Sequence, residues 1–276
     1  MANSTKRKIF IFILLITVFF VWYFLIYSPR QRIRDNLLKT GIGELSSHIL
    51  WGYPIVENVR IFEYEGYVSA YDTIRLNPLW VSYYVNKDYL NGKKYLRNRK
   101  FAPDPTLDIK HSAVDSDFRN SGFDRGHLAR QSDMKGRSPL CETQSLYFTN
   151  ISPQKPNFNR KTWNNLEMAV DDLTEHFGQS WIITGPYFDN EREFINRRIE
   201  IPDGFYKIVV LYTEKGFYPL AFLVDMDDTA LNIEDYCVSI DSVESLTGID
   251  FFHELEDRSE KEFESLLLSV PHYWRK

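Results

Sequence analysis

The sequence predicts an α+β domain built on a largely antiparallel central sheet flanked by helices. Short apolar runs with strand character are interspersed with one long helical stripe, and no regular βαβ alternation links them. Aromatic side chains are abundant, with 17 Tyr, 20 Phe and 6 Trp among 276 residues, enough to build a sizeable core. No internal repeat or low-complexity stretch interrupts the chain beyond residue 48, so one domain is expected over 49–276.

The N-terminal end departs from this pattern. Residues 1–8 form a basic flank carrying Lys6, Arg7 and Lys8, and Ile9–Tyr27 contains only apolar and aromatic side chains plus Thr17. At ~1.5 Å per residue that run matches a ~30 Å hydrocarbon core, which predicts one transmembrane helix over 9–27. Trp22, Tyr23 and Tyr27 sit where interfacial aromatics are found. The competing reading is a cleaved signal peptide, whose apolar region is usually only ~7–15 residues and ends at a small-residue site. Here Ser28-Pro29-Arg30 comes next instead, which favours an uncleaved anchor with a juxtamembrane linker over 28–48. Arg30, Arg32 and Arg34 balance the basic residues before the run, so charge does not set the orientation.

Beyond the linker, Trp80-Val81-Ser82-Tyr83-Tyr84-Val85 is aromatic and β-branched and reads as a strand. The stretch from Asn86 to Thr106 is basic and polar, with Gly92, Pro103 and Pro105, and reads as a long loop. Trp181 to Thr184, Lys207 to Thr213 and Tyr218 to Val224 are further strands. The period changes between Pro156 and Phe177, where Trp163, Leu166, Val170, Leu173 and Phe177 recur at three- and four-residue spacing. That stripe predicts an amphipathic helix starting just after Pro156. Asp241 and Glu244 have capping-box spacing, and Gly248 is placed to close a short helix.

Charge and cysteine content narrow the function classes. A net charge of −5 argues against a protein that coats nucleic acid, which would be basic. Between Arg119 and Lys161, however, eight basic residues face only Asp124, Asp133 and Glu142, a local positive field suited to a polyanion. Cys141 and Cys237 are too few for a disulfide framework and lack metal-site spacing; the unbridged state is the favoured one. A zinc deaminase is excluded, since no Cys-x-x-Cys accompanies a His-x-Glu.

Two clusters carry chemistry. Asp124-Arg125-Gly126-His127 places a general base and a phosphate-binding cation beside a glycine in one short loop. A lone histidine is more often structural, so the second cluster matters. Asn150-Ile151-Ser152-Pro153-Gln154 leads into the helix, where Asn157, Asn159, Arg160, Asn164, Asn165 and Glu167 are crowded. At 100° per residue Asn159 falls on the inward stripe and Glu167 flanks the same face about two turns later. Two readings stay open on spacing alone. Asn157 or Asn159 is an N-cap, or Asn159 belongs to a hard-oxygen metal site with few protein ligands and many waters, as Mg²⁺ prefers.

These motifs together resemble the non-specific DNA/RNA endonuclease family, the ββα-metal nucleases that include endonuclease G. Asn77-Pro78-Leu79-Trp80-Val81, Ile183-Thr184-Gly185-Pro186, Pro202 to Lys207 and Leu246 to Phe252 resemble family landmarks in the same order, so the likeness covers most of residues 49–276. It implies a metal-dependent endonuclease hydrolysing phosphodiester bonds in DNA and RNA with low sequence specificity. In that resemblance His127 matches the general base, Asn159 the direct Mg²⁺ ligand, and Glu167 the acidic residue acting through metal-bound water. Arg125 matches a phosphate-binding arginine, Asn150 a residue that arranges the site, and Gln154 a polar support near substrate. Arg130 and Arg160 are further substrate-binding candidates. A transition-state arginine is expected from the preceding loop, where Arg97 ranks ahead of Arg99. One departure is visible: family members often have Ala-Pro one variable residue after the motif, whereas Leu128-Ala129-Arg130 stands here. It loosens the loop and adds a cation near the substrate path.

The resemblance implies Mg²⁺, with Mn²⁺ or another divalent ion able to serve, DNA and RNA as substrates, and a homodimer as a plausible assembly. Two alternatives remain: a non-catalytic nucleic-acid-binding module on the same fold, and a phosphodiesterase of narrower range. An unrestricted nuclease endangers its host's genome. A single-pass protein with its nuclease domain outside the cytoplasm is therefore expected, in the periplasm or at the cell surface, or on the inner mitochondrial membrane of a eukaryote.

Overall fold

The computed structural model describes residues 48–95, 100–228 and 232–271. The expected anchor over 9–27, its basic flank and nearly all of its linker lie outside the described residues, as do Arg97 and Arg99. Among the described residues no helix is long and apolar enough to cross a membrane.

In chain order the strands are β1 (Arg60–Glu63), β2 (Val68–Asp72), β3 (Asn77–Asn86), β4 (Asp124–His127), β5 (Ile151–Gln154), β6 (Gln179–Tyr187), β7 (Phe194–Ile195), β8 (Ile199–Glu200), β9 (Gly204–Thr213), β10 (Gly216–Asp225) and β11 (Cys237–Val238). The α-helices are α1 (Lys87–Leu90), α2 (Asp115–Phe118), α3 (Gln131–Lys135), α4 (Pro139–Gln144), α5 (Asn164–Phe177), α6 (Ile240–Thr247) and α7 (Asp257–Glu264). Seven strands form one sheet in the order β1-β2-β3-β6-β9-β10-β11. Every neighbouring pair in it is antiparallel, as expected. Two small ribbons, β4-β5 and β7-β8, stand apart from the sheet.

Side-chain alternation along the central strands builds a core on each face of the sheet. Val81, Tyr83 and Val85 of β3 join Ile182, Val209, Leu211 and Phe222 in a cluster with Leu166, Ala169, Val170 and Leu173 of α5. The alternate positions carry rings to the other face. Tyr84 meets Trp181 at 5.2 Å between centroids, Trp181 meets Phe217 at 5.9 Å, and Trp51 closes on Phe217 at 4.7 Å. Phe263 of α7 packs on Trp51 at 5.4 Å, and Phe251, just after α6, packs on Tyr206 at 5.7 Å. Burial on both faces is why β3 and β9 are almost wholly buried strands rather than half-polar ones.

Several elements differ from the sequence expectation. Each expected strand runs further, because ladder pairing continues through the polar ends Asn77, Gln179, Gly204 and Asp225, where hydrophobicity is silent. The loop after Asn86 begins with α1, capped by the Asn86 side chain accepting from Tyr89 N. Pro156 to Phe177 is not one α-helix: Phe158–Trp163 forms a π-helical turn before α5 begins at Asn164. At α6 the cap is Ser239, whose hydroxyl accepts from Ser242 N, and not Asp241. Glu244 instead accepts a hydrogen bond from Phe251 N at 2.8 Å, tying down the segment after the helix. Gly248 ends α6 with φ +68°, the left-handed conformation expected of that cap. Cys141 and Cys237 are both free thiols.

The carboxylates of Asp241, Glu244 and Glu264 lie within 4.8 Å of one another where α6 meets α7. Burial pushes the Glu264 carboxyl up to about 9, with Glu244 and Glu260 adding to it. Since the unfolded chain ionises Glu264 near 4.5 while the folded one keeps its proton to about 9, folding loses stability as pH rises through that window. Glu264→Gln should therefore melt progressively higher than the wild type as pH goes from 5 to 8. Equal melting differences at both pH values would contradict this.

Candidate active site

The site grows from the β4-β5 ribbon. Asp124 pairs with Gln154, and the register continues to His127 opposite Ile151. The Asp-Arg-Gly-His segment is thus a strand and not the loop its composition suggests. The ribbon is fastened to the main sheet through Ser152, whose hydroxyl donates to Asn77 Oδ1 at 2.7 Å, while Asn77 donates onward to Glu200 O. Gly126 allows the ribbon to close. A Cβ there would lie 2.2 Å from the Gln154 amide, so any larger residue would displace a fully buried side chain.

Asn150, just before β5, fixes the backbone immediately beyond His127. Its Oδ1 accepts from Ala129 N at 2.7 Å, and its Nδ2 donates to Ala129 O and Ser145 O, both at 2.9 Å. Leu128 N also reaches Asn150 O at 3.0 Å. A fully buried asparagine with this bonding holds backbone in place and does not reach substrate. The loosening expected from the missing proline is therefore offset by this clamp.

A cavity of about 410 Å³ opens beside the ribbon, lined by His127, Asn159, Glu167, Arg130, Gln131 and Ser132, with Gly92, Lys94 and Lys135 at its side. Asn159 sits in the π-helical turn, where each residue rotates less than in an α-helix, so the 100° arithmetic does not carry across from 159 to 167. The cavity nevertheless receives both side chains. Asn157 makes no side-chain cap bond, and Asn159 Nδ2 donates to Asp124 Oδ2 at 3.0 Å, so neither acts as an N-cap. With its amino group committed to Asp124, the Asn159 carboxamide oxygen is the atom left for the cavity.

The remaining expected residues fall in different places. Arg125 does not line the cavity; it pairs with Asp115 at 2.8 Å, and its guanidinium lies over Phe118 and Phe101. Phe101 also meets the His127 ring at 5.4 Å, so Arg125 and His127 flank one aromatic wall. Arg160 is largely exposed and grips both Asp124 oxygens through Nε and Nη2. Gln154 is fully buried, away from solvent, with neither amide atom hydrogen-bonded within the protein, so direct substrate contact is closed to it. Arg130 turns inward onto α5, pairing with Glu167 and Asp171.

Sequence reasoning missed a buried charge network behind the cavity. Lys207 is 1% exposed, with Nζ 4.7 Å from the Trp163 ring centroid. Burial pushes its amine down, against the pull of Glu167. Burial likewise pushes the Glu167 carboxyl up, opposed by Lys207 and Arg130. Asp171 is pushed up to about 7, by burial first and then by Asp133, which accepts from Tyr83 at 3.0 Å. The available signal was Lys207 itself, an ionisable residue sharing the inward face of β9 with Phe205, Val209 and Leu211. Lys94 was missed, and Lys135 was counted only within the basic stretch, because a backbone clasp brings their segments together: a Cβ on Gly92 would lie 2.0 Å from Gly136 Cα.

Chemically the cavity offers an imidazole, a neutral carboxamide oxygen, a buried carboxylate and two rim ammonium groups. The Gln131 Nε2 donor, buried and without a protein partner, adds a hydrogen bond for an oxygen within it. If Asn150 acts only by holding backbone, Asn150→Asp should destabilise the fold nearly as much as Asn150→Ala. The aspartate would present oxygen to the Ala129 and Ser145 carbonyls, and each orphaned group costs about 1–3 kcal/mol. Thermal melts of the two variants check this. An Asn150→Asp protein as stable as wild type would overturn it.

Comparison with known proteins shows the family. A family profile described as DNA/RNA non-specific endonuclease matches residues 47–258. Mitochondrial endonuclease G of Caenorhabditis elegans is 30% identical over 250 residues, covering 84% of this chain and 79% of that protein. Human mitochondrial endonuclease G is 29% identical over 223 residues, covering 76% and 73%, and a nuclease of Nostoc is 28% identical over 241, covering 80% and 86%. Among solved structures, a chain from the EndoG/EndoGI complex aligns with a TM-score of 0.68 at 24% identity, covering 79% of this chain and 94% of that one, a likeness of fold. The chain belongs to the DNA/RNA non-specific endonuclease family.

Proposed function

We propose that the chain is a divalent-metal-dependent endonuclease that hydrolyses phosphodiester bonds in DNA and RNA with little sequence preference. One observation carries the reading: His127, Asn159 and Glu167, drawn from a strand, a π-helical turn and a helix, all line one cavity. The donor set suits a small hard cation. A neutral carboxamide oxygen with one nearby carboxylate leaves most coordination positions to water, the binding habit of Mg²⁺. Asn159 would ligate the ion directly and Glu167 through water, and Mn²⁺ fits the same donors.

When bound, the ion neutralises charge on the phosphate and on the departing oxygen. The protein's own residues do the rest. His127 takes a proton from the attacking water, a contribution typically worth ~10²–10⁴-fold. Its ring is held between the Phe101 wall and a strand that cannot shift without breaking the Asn150 clamp. Lys94 and Lys135 attract the backbone phosphates, and the proposed groove reads phosphate and sugar, which carry no sequence directly. Arg125 supports the wall beside His127. Relatives named as mitochondrial favour a mitochondrial setting, and the 9–27 segment is proposed as a membrane anchor.

Asn159→Ala should fold normally yet raise the Mg²⁺ concentration needed for half-maximal cleavage at least tenfold. Glu167→Gln should slow turnover while sparing more of the metal affinity, as outer-sphere changes usually do. Plasmid cleavage across a Mg²⁺ series, with melts of both variants, makes the measurement. An unaltered Mg²⁺ curve for folded Asn159→Ala would remove the ligand assignment.

A further inference from the structure

One face of α5 carries Asn164, Glu167 and Asp171 at three- and four-residue spacing, so their side chains lie in a row. Arg130, the residue just before α3, lies along that row. Its Nη2 donates to Asn164 Oδ1 at 3.3 Å, its Nε approaches Glu167 Oε2 at 3.3 Å, and its Nη1 donates to Asp171 Oδ2. All three nitrogens are engaged, which spends three of the five N–H donors on α5 and turns the fork toward the helix. The side chains are 20% exposed for Arg130, 11% for Glu167 and 29% for Asp171. Asp171 does not line the cavity; it reaches it only through Arg130.

We propose that Arg130 and Asp171 form a positioning relay for Glu167, with Asp171 anchoring the guanidinium and the guanidinium holding one Glu167 oxygen so that the other serves the cavity. Arg130 is then a positioning residue and not a nucleic-acid contact. A carboxylate two single bonds from its last fixed atom rotates freely unless one oxygen is held, and an outer-sphere residue works only if its acceptor stays aimed. A planar fork can span a row of three acceptors along a helix, whereas a lysine at the same position is a point charge that reaches one of them. The inference rests on the reading of Asn159 and Glu167 as the metal-holding pair.

The test uses the full chain and Mn²⁺ as a spin probe, with bound ion counted by electron paramagnetic resonance in the absence of nucleic acid. The variants are Glu167→Gln, Arg130→Lys, Asp171→Asn and the Arg130→Lys/Asp171→Asn pair, each with a thermal melt and with KM and kcat on plasmid DNA. Arg130→Lys keeps the charge and loses the fork. The relay predicts that it weakens Mn²⁺ binding or lowers kcat by about tenfold, the range of outer-shell effects, while KM moves by less than about twofold. Asp171→Asn should give a similar loss alone and add nothing in the Arg130→Lys background, because both act on one contact.

Four results overturn it. A substrate contact would leave Mn²⁺ binding and kcat intact in Arg130→Lys. A through-space charge effect would let Asp171→Asn lower affinity equally in both backgrounds. If Glu167→Gln lowers metal affinity or kcat while neither Arg130→Lys nor Asp171→Asn does, the relay alone fails. If Glu167→Gln changes neither, the metal-site reading fails and takes the relay with it.

Discussion

Everything at the site depends on the antiparallel pairing of β4 with β5. That ribbon is only four residues on each strand, and an isolated two-stranded hairpin is marginal in water. It persists here because its neighbours hold it from three sides. Gly126 lets it close on Gln154, Ser152 ties it to Asn77 of the sheet, and Asn150 clamps the backbone just past His127. The pairing also brings Asp124 to the π-helical turn, where it holds the Asn159 amide and the Arg160 guanidinium together. One ribbon thus sets the positions of both the proposed base and the proposed metal ligand, although 32 residues separate them in sequence.

The buried charges behind the cavity have a different logic. Glu167, Asp171 and Arg130 are largely withdrawn from water and Lys207 is wholly so, which is costly for charged groups unless neighbouring charges compensate. Replacing them by apolar residues of similar size could stabilise the fold, so their presence points to the cavity's chemistry. Their charges oppose one another within a small volume: burial drives Glu167 toward its neutral form while Lys207 and Arg130 favour the anion. Burial prevails, so the Glu167 carboxyl holds its proton more tightly than a free one, and Lys207 and Arg130 limit the effect.

How much of this could be read from the sequence depends on the range of each interaction. The antiparallel sheet, the stripe of α5 and the Gly248 cap were legible because they are periodic or local. His127, Asn159 and Glu167 were legible through the motifs, and they do share a cavity. The roles of Arg130, Arg160 and Gln154 were not, since a side chain's partner across the fold leaves no mark on its own neighbours in sequence. Arg130 looked like a surface cation until Glu167 and Asp171 were placed beside it. The π-helical turn was also invisible, because its residues share the composition of an ordinary first helical turn. Lys94 and Lys135 needed the Gly92–Gly136 contact, which depends on two glycines 44 residues apart.

The central claim is that Asn159 and His127 belong to one metal-dependent centre, and paramagnetic broadening tests it most directly. In protein labelled at histidine, sub-stoichiometric Mn²⁺ should broaden the His127 ring resonances first, and Asn159→Ala should abolish that effect. His253, which lies close enough to Glu260 to act on its carboxyl and is not among the cavity-lining residues, serves as the internal reference. Broadening of His253 ahead of His127, unchanged by Asn159→Ala, would place the ion elsewhere and contradict the account.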